Sequence, residues 1–102
     1  NGLQIDGRIS DVMNPHPIDK KLEAFGCEVI CCDGNDFDAL EAAFAAARAV
    51  TGKPAAILMT TVKGKGVSFM EDQVGWHGKA PNDEQMAQAQ AELEAVIKEL
   101  EG

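Results

Sequence analysis

Two short apolar segments flank a helical pattern in the middle of the chain, and they limit the fold more than any other feature. Residues 28–32 (EVICC) and 55–61 (AAILMTT) lack the alternation of half-exposed strands, which is typical of strands covered on both faces. Between them, apolar residues from Phe37 to Ala47 recur at spacings of three and four, as on one face of a helix. This order predicts an α/β fold with a parallel sheet built from a βαβ unit.

Further helices are predicted on both sides of this unit. A short helix should begin near Pro17 and end at Gly26, and a long helix should begin at Asn82, which forms a capping-box pattern with Gln85. The Gly-, Asn- and Pro-rich stretch 1–17 predicts an extended loop with turns at Asp6-Gly7 and Asn14-Pro15. Two strands are too few for an independent α/β domain. We therefore expect the sheet to continue with strands from upstream sequence or from another chain.

Composition restricts the classes of partner. The 102 residues suit one domain, and 17 acidic against 9 basic side chains give a net charge of −8, which disfavours nucleic acid. No apolar run approaches the roughly 20 residues of a membrane span. The three cysteines, Cys27, Cys31 and Cys32, do not suggest a disulfide framework or a zinc site, so we interpret them as small buried apolar residues in a reducing cytoplasm.

The irregular stretch 62–81 follows the second predicted strand, at the strand end where parallel sheets bind ligands. Gly64 and Gly66 would allow the backbone to approach an anion, and Lys63 and Lys65 would supply positive charge. The P-loop pattern GxxxxGK[ST] is absent. The stretch therefore indicates either an anion-binding loop or a glycine-rich turn with two solvated lysines.

Three other residue types carry possible chemistry. Trp76 can shield the imidazole of His77, which would then donate to phosphate or transfer a proton near neutral pH. The alternative is a surface histidine beside a tryptophan that anchors the loop. Asn1 and Asp6 have hard oxygen atoms suited to a divalent cation, but residues of these types in such loops often only make turns.

Four segments together resemble transketolase: NGLQIDG at 1–7, EAFG at 23–26, KPAAILMTT at 53–61 and KGKGVSFMEDQVGWHGKAP at 63–81. The resemblance is to the N-terminal thiamine diphosphate-binding section, including that of bacterial transketolases encoded as two subunits. It implies a partial, parallel-sheet, Rossmann-like domain, with residues 1–102 forming its C-terminal part. The match would begin in the middle of that domain, and the absence of an initial methionine suggests cleavage or truncation.

The resemblance also implies a site. Asn1 matches the asparagine that closes the family's cofactor motif, so its side-chain oxygen and the backbone carbonyl of Leu3 would coordinate Mg²⁺ or Ca²⁺. Lys63 and His77 match residues that face the cofactor diphosphate. The histidine at the position of His77 also touches substrate in the family, which gives His77 a catalytic role in stabilising charge during the reaction.

The implied activity is transfer of a two-carbon ketol group from a ketose phosphate to an aldose phosphate, in a cytoplasmic homo-oligomeric enzyme of the pentose phosphate pathway. The Gly-Asp-Gly half of the cofactor motif and the glutamate that activates the cofactor are missing from this sequence. We therefore expect the chain to need the rest of the transketolase for catalysis. The alternatives are another thiamine diphosphate enzyme, such as deoxyxylulose phosphate synthase or a 2-oxoacid dehydrogenase component, and a non-catalytic fragment that associates through a sheet edge and the apolar stripe 86–100.

Overall fold

A computed structural model describes all residues from 1 to 102, which group into two compact units. The first unit contains residues 1–8 and 62–102, and the second contains residues 9–61. The secondary-structure elements are β1 (Leu3–Gln4), β2 (Gly7–Arg8), α1 (Ile9–Val12), α2 (Ile18–Ala24), β3 (Glu28–Asp33), α3 (Phe37–Ala49), β4 (Ala55–Thr60), a 3₁₀ turn (Val74–Trp76) and α4 (Asp83–Glu101).

The second unit contains the predicted βαβ arrangement. Strands β3 and β4 pair in parallel, from Glu28 opposite Ala55 to Asp33 opposite Thr60. Helix α3 connects them and packs on both strands. This arrangement confirms the predicted α/β fold with a small parallel sheet and flanking helices.

Helix α3 begins at Phe37, the first residue of the apolar pattern, and Asp36 caps it. The Asp36 carboxylate accepts hydrogen bonds from the backbone N–H groups of Asp38 at 2.9 Å and Ala39 at 3.1 Å, so it satisfies donors that the first helical turn leaves open. The helix ends before Gly52, whose φ of +79° suits a residue without a Cβ atom. Ala43, on the helix face toward the sheet, is the buried apolar residue of this unit.

The predicted burial of the strands is wrong. No residue of β3 or β4 is fully buried, and none of the cysteines is buried, with Cys31 exposed and Cys27 and Cys32 half-buried. The sheet has only two strands, so each strand has one edge without a hydrogen-bonded neighbour. Cover on both faces would require polypeptide beyond these residues.

The first unit begins with a hairpin that the sequence does not predict. Strands β1 and β2 pair antiparallel, with Leu3 opposite Arg8 and Gln4 opposite Gly7. The predicted extended loop over residues 1–17 is therefore wrong in part, since it contains this hairpin and the short helix α1, whereas the hairpin turn at Ile5 and Asp6 overlaps the predicted turn at Asp6-Gly7. Strands of two residues are too short to show a period of two in the sequence.

Helix α4 belongs to the same unit and follows the prediction closely. The Asn82 side chain accepts a hydrogen bond from the Gln85 amide at 2.9 Å, and the Gln85 side chain accepts one from the Asn82 amide at 3.0 Å. This is the predicted capping box. Ala89 is buried on this helix. No helix in the structure combines the length and the hydropathy that crossing a membrane requires.

Candidate anion and metal site

A cavity of about 440 Å³ opens within the first unit. Its lining comes from the β1–β2 hairpin and its preceding residue on one side, and from the long loop 62–81 on the other. The residues that line it are Asn1, Leu3, Gln4, Ile5, Asp6, Lys63 and His77. All four residues that the family resemblance singles out are therefore in one cavity, although 76 positions separate the first from the last in the chain.

On the hairpin side, the Asn1 side chain is held by a local hydrogen bond. Its Oδ1 atom accepts from the Leu3 backbone N–H at 3.0 Å, so Asn1 makes the kind of turn that its residue type favours. An amide oxygen has two lone pairs, and this bond uses one of them. The turn therefore leaves Asn1 Oδ1 able to accept a second contact, and the turn-making and ligand interpretations are compatible.

On the loop side, two lysines that look equivalent in the sequence have different surroundings. Lys65 Nζ lies 3.5 Å from the Glu71 carboxylate, and Lys65 does not line the cavity. Lys63 lines the cavity, and its ammonium group has no hydrogen bond or ion pair within the chain. Of the two lysines, only Lys63 lines the cavity, and it does so without an ion pair.

The loop glycines serve the loop itself. Gly64 has a φ of +72°, and a Cβ atom there would lie 2.7 Å from the Met70 carbonyl oxygen. The Gly66 amide donates to the Glu71 carboxylate at 2.9 Å, and this hydrogen bond, with the Lys65 charge, lowers the pKa of Glu71. Gly64 thus packs against its own loop, and the Gly66 amide is already paired with Glu71.

Trp76 anchors the loop and does not cover His77. Trp76 Nε1 donates to the Phe69 carbonyl at 3.0 Å, its ring packs on the Phe69 ring at 5.4 Å, and Lys79 Nζ lies 4.9 Å from its centroid. His77 is exposed, so Trp76 does not shield the imidazole from water. The His77 backbone N–H donates to the Val74 carbonyl at 3.1 Å, and His77 lines the cavity without a side-chain hydrogen bond.

A second attachment of the loop has no signal in the sequence. The Ser68 amide and hydroxyl both donate to the Glu92 carboxylate of α4, at 2.7 and 2.6 Å, and Gln88 donates to the same group at 2.8 Å. These bonds lower the pKa of Glu92, with the Ser68 hydroxyl as the largest cause. The spacing of four between Gln88 and Glu92 places them on one helix face, but it does not identify Ser68 as their partner.

The oxygen atoms of the cavity fit a hard divalent cation in kind. The Asn1 amide oxygen and the Leu3 carbonyl are of the type that Mg²⁺ and Ca²⁺ prefer, and the Asp6 carboxylate at the hairpin turn also lines the cavity. The structure contains no cluster of three or more His, Cys, Asp or Glu side chains suited to a metal. Because such a cation takes roughly six ligands, these residues can form only part of its shell, with the remainder from phosphate, water or other polypeptide.

Comparison with known sequences identifies the family. The sequence profile described as transketolase, thiamine diphosphate binding domain, matches residues 1–97. The chain belongs to the transketolase family. Domains of this family bind thiamine diphosphate. The roles of Asn1, Leu3, Lys63 and His77 toward it remain predictions.

Several relatives are named as subunits of transketolases. An apulose-4-phosphate transketolase subunit of Actinobacillus succinogenes is 40% identical over 97 residues, which cover 91% of this chain and 33% of the relative. The 6-deoxy-6-sulfo-D-fructose transketolase subunit SqwG of a Clostridium species is 38% identical over 94 residues, covering 92% and 34%. This transketolase chain therefore spans about a third of the length of these curated relatives.

Proposed function

We propose that this chain is the C-terminal part of a transketolase diphosphate-binding domain and that its 440 Å³ cavity holds the diphosphate and divalent cation of thiamine diphosphate. Asn1 Oδ1 and the Leu3 carbonyl bind Mg²⁺ or Ca²⁺, while Lys63 and His77 bind the diphosphate. This assignment is supported by one observation, that all four residues line the same cavity.

Charge in the cavity favours an anion with a bound cation. The Lys63 ammonium has no counterion, so a phosphate oxygen would give it a charge-assisted hydrogen bond without breaking an existing one. The oxygen atoms of Asn1 and Leu3 would instead repel a bare phosphate and attract a cation. A metal-bound diphosphate satisfies both groups, whereas a free phosphate satisfies only one.

In the complete enzyme, this chain would contribute to transfer of a two-carbon ketol group between sugar phosphates. When bound, thiamine diphosphate supplies the stabilisation of a carbanion that ketol transfer requires. His77 is exposed at the cavity, where its imidazole can donate to the diphosphate and to a substrate oxygen as negative charge develops there. Lys63 holds the diphosphate in place and keeps the cofactor oriented toward the substrate.

Catalysis requires polypeptide in addition to these residues. The two-stranded sheet leaves strand edges unpaired, and an apolar cavity of about 340 Å³ lined by β3 and α3 is open in the second unit. Relatives named as transketolase subunits are about three times as long as the matched region. We propose that the rest of the transketolase completes the sheet and the metal shell in a cytoplasmic homo-oligomer.

Calorimetric titration of thiamine diphosphate with Mg²⁺ tests this function. We expect no binding to the chain alone and clear binding once the missing parts of the enzyme are added. In that complete enzyme, Lys63→Met should weaken binding about 10- to 100-fold, the range expected for a hydrogen bond to a charged group. Lys65→Met removes the same charge from a lysine already paired with Glu71, so it should weaken binding less than about threefold by loss of long-range attraction.

Equal losses in the two lysine variants would contradict the proposed site. The second candidate is an association fragment. It would be favoured if neither titration, into the chain alone or into the completed enzyme, released heat and the chain had the native mass of a homo-oligomer. That candidate has support from the exposed apolar side chains of α4, among them Leu93, Val96, Ile97 and Leu100.

A further inference from the structure

A contact between two side chains far apart in the sequence joins the two walls of the cavity. Arg8, at the end of the β1–β2 hairpin, donates from Nη1 to Asp72 Oδ1 at 3.0 Å and from Nη2 to Asp72 Oδ2. The two residues are 64 positions apart, and both belong to the first unit. The contact is bidentate, so it fixes the direction of approach as well as the distance.

The Asp72 backbone ties this contact to the diphosphate side of the site. Its N–H donates to the Lys63 carbonyl at 2.9 Å. Asp72 has a φ of +55° and is the only residue other than glycine with a positive φ, a conformation that Asp and Asn adopt more readily than other side chains. The backbone conformation that brings the Asp72 carboxylate to Arg8 therefore also holds Lys63.

Arg8 ties the contact to the metal side. In the hairpin it lies directly opposite Leu3, whose carbonyl is a proposed metal ligand and whose N–H holds Asn1 Oδ1. Each neighbouring pair from Leu3 through Arg8 and Asp72 to Lys63 is joined by a strand pairing or a hydrogen bond. The Arg8–Asp72 contact is the link in this series that connects the hairpin with the loop.

The contact is poorly placed to contribute much to stability. The side chains of Arg8 and Asp72 are 54% and 44% exposed, and ion pairs with that exposure are screened by water and salt. Neither residue lines the cavity, so neither would touch the cofactor. What the bidentate contact can still do is fix the position of one cavity wall relative to the other.

We infer that Arg8 and Asp72 are positioning residues, which hold the metal ligands on the hairpin at the correct distance from Lys63 on the loop. The inference rests on the proposed function of the cavity. It assigns to this pair an effect on the affinity for metal-bound diphosphate that exceeds its effect on folding, since a small shift of either wall separates the two ends of the ligand.

A double-mutant cycle in the complete enzyme tests the inference. Arg8→Met and Asp72→Asn each remove the ion pair, and asparagine tolerates the positive φ of residue 72. The dissociation constant of thiamine diphosphate is measured at fixed Mg²⁺, and the Mg²⁺ concentration at half-saturation is measured at fixed thiamine diphosphate. Each single variant should raise the dissociation constant and the half-saturating Mg²⁺ concentration about three- to tenfold. The double variant should raise them no further than the more affected single variant.

Controls separate positioning from general damage. Lys20→Met breaks an exposed ion pair with Glu23 in the second unit and should leave both constants unchanged. Arg8→Lys keeps the charge but cannot form the fork of two parallel bonds, so its losses should be intermediate. The thermal midpoint of the cofactor-free variants should stay close to that of the unmodified enzyme, because the pair is exposed.

Additive losses in the double variant, or losses that follow the thermal midpoint, would overturn the positioning role. Wild-type constants in Arg8→Met would do the same while Lys63→Met still weakens binding, and that result would leave the proposed function intact. Wild-type binding in Lys63→Met would instead contradict the proposed function itself. The two hypotheses therefore fail on different variants.

Discussion

The strand–helix–strand segment 28–60 and the loop 62–81 keep their shapes in different ways. The segment relies on backbone pairing that repeats along six residues of each strand, so no single side chain determines its geometry. The loop relies on individual bonds from side chains to backbone, such as Trp76 to Phe69 and Ser68 to Glu92. We infer that substitutions in the segment act mainly on folding, whereas substitutions in the loop act mainly on the ligand site.

The strongest challenge to this comparison is Gly64→Ala. A methyl group there would meet the Met70 carbonyl oxygen at 2.7 Å while φ is +72°, so the loop must change shape at a cost of about 3 kcal/mol or more. We expect thiamine diphosphate binding by the complete enzyme to be lost in calorimetry. Gly52→Ala is the matched control, with a φ of +79° but open space, and should cost about 1 to 2 kcal/mol and retain binding. Equal binding by both variants would break the comparison.

Gly34→Ala examines the other region with a purely steric change. Its methyl group would lie 2.7 Å from Thr61 Cγ2 and 2.9 Å from Met59 Cβ, and Cβ cannot move without the β4 backbone. We expect a loss of about 1 to 3 kcal/mol in the free energy of unfolding, measured by denaturant titration. The dissociation constant of thiamine diphosphate should remain unchanged in the folded fraction. A higher dissociation constant with normal stability would show that this segment also shapes the site.

The smallest expected effect is a dependence of the loop on acid. The pKa of Glu92 is lowered by Ser68, so its contribution to stability is present above its ordinary value of 4.5 and is lost as the pH falls below that. Fluorescence of Trp76, the single tryptophan, should report loosening of the loop below about pH 4.5. Glu92→Gln should make the signal less sensitive to acid, whereas Glu94→Gln, at a side chain without hydrogen bonds, should not. An identical acid response in both variants would indicate that the Ser68 contact does not hold the loop.

The regular elements are predictable because their signals are local. The Asp36 and Asn82 caps and the apolar runs that become β3 and β4 each depend on residues within a few positions. The hairpin escapes prediction because its strands are too short to show a period. The predicted burial of the cysteines is wrong because cover on a strand depends on neighbours that local composition does not reveal.

The site residues that can be predicted from the sequence are those that match family motifs. Asn1, Leu3, Lys63 and His77 come from matched motifs, and the structure brings them to one cavity. The different surroundings of Lys63 and Lys65 are not predictable, because no sequence period assigns Glu71 to one lysine and not the other. Contacts such as Arg8 with Asp72 join residues whose separation follows no repeating rule, so they require coordinates.

The unpaired edges of the β3–β4 sheet have a practical consequence for anyone who produces this polypeptide. Free strand edges are templates for intermolecular pairing, and the highly exposed Phe25 and Phe37 add hydrophobic surface. Overexpression of these residues alone would therefore favour inclusion bodies. If the rest of the transketolase completes the sheet as proposed, producing it together with these residues would occupy the edges, and the yield of soluble material would rise.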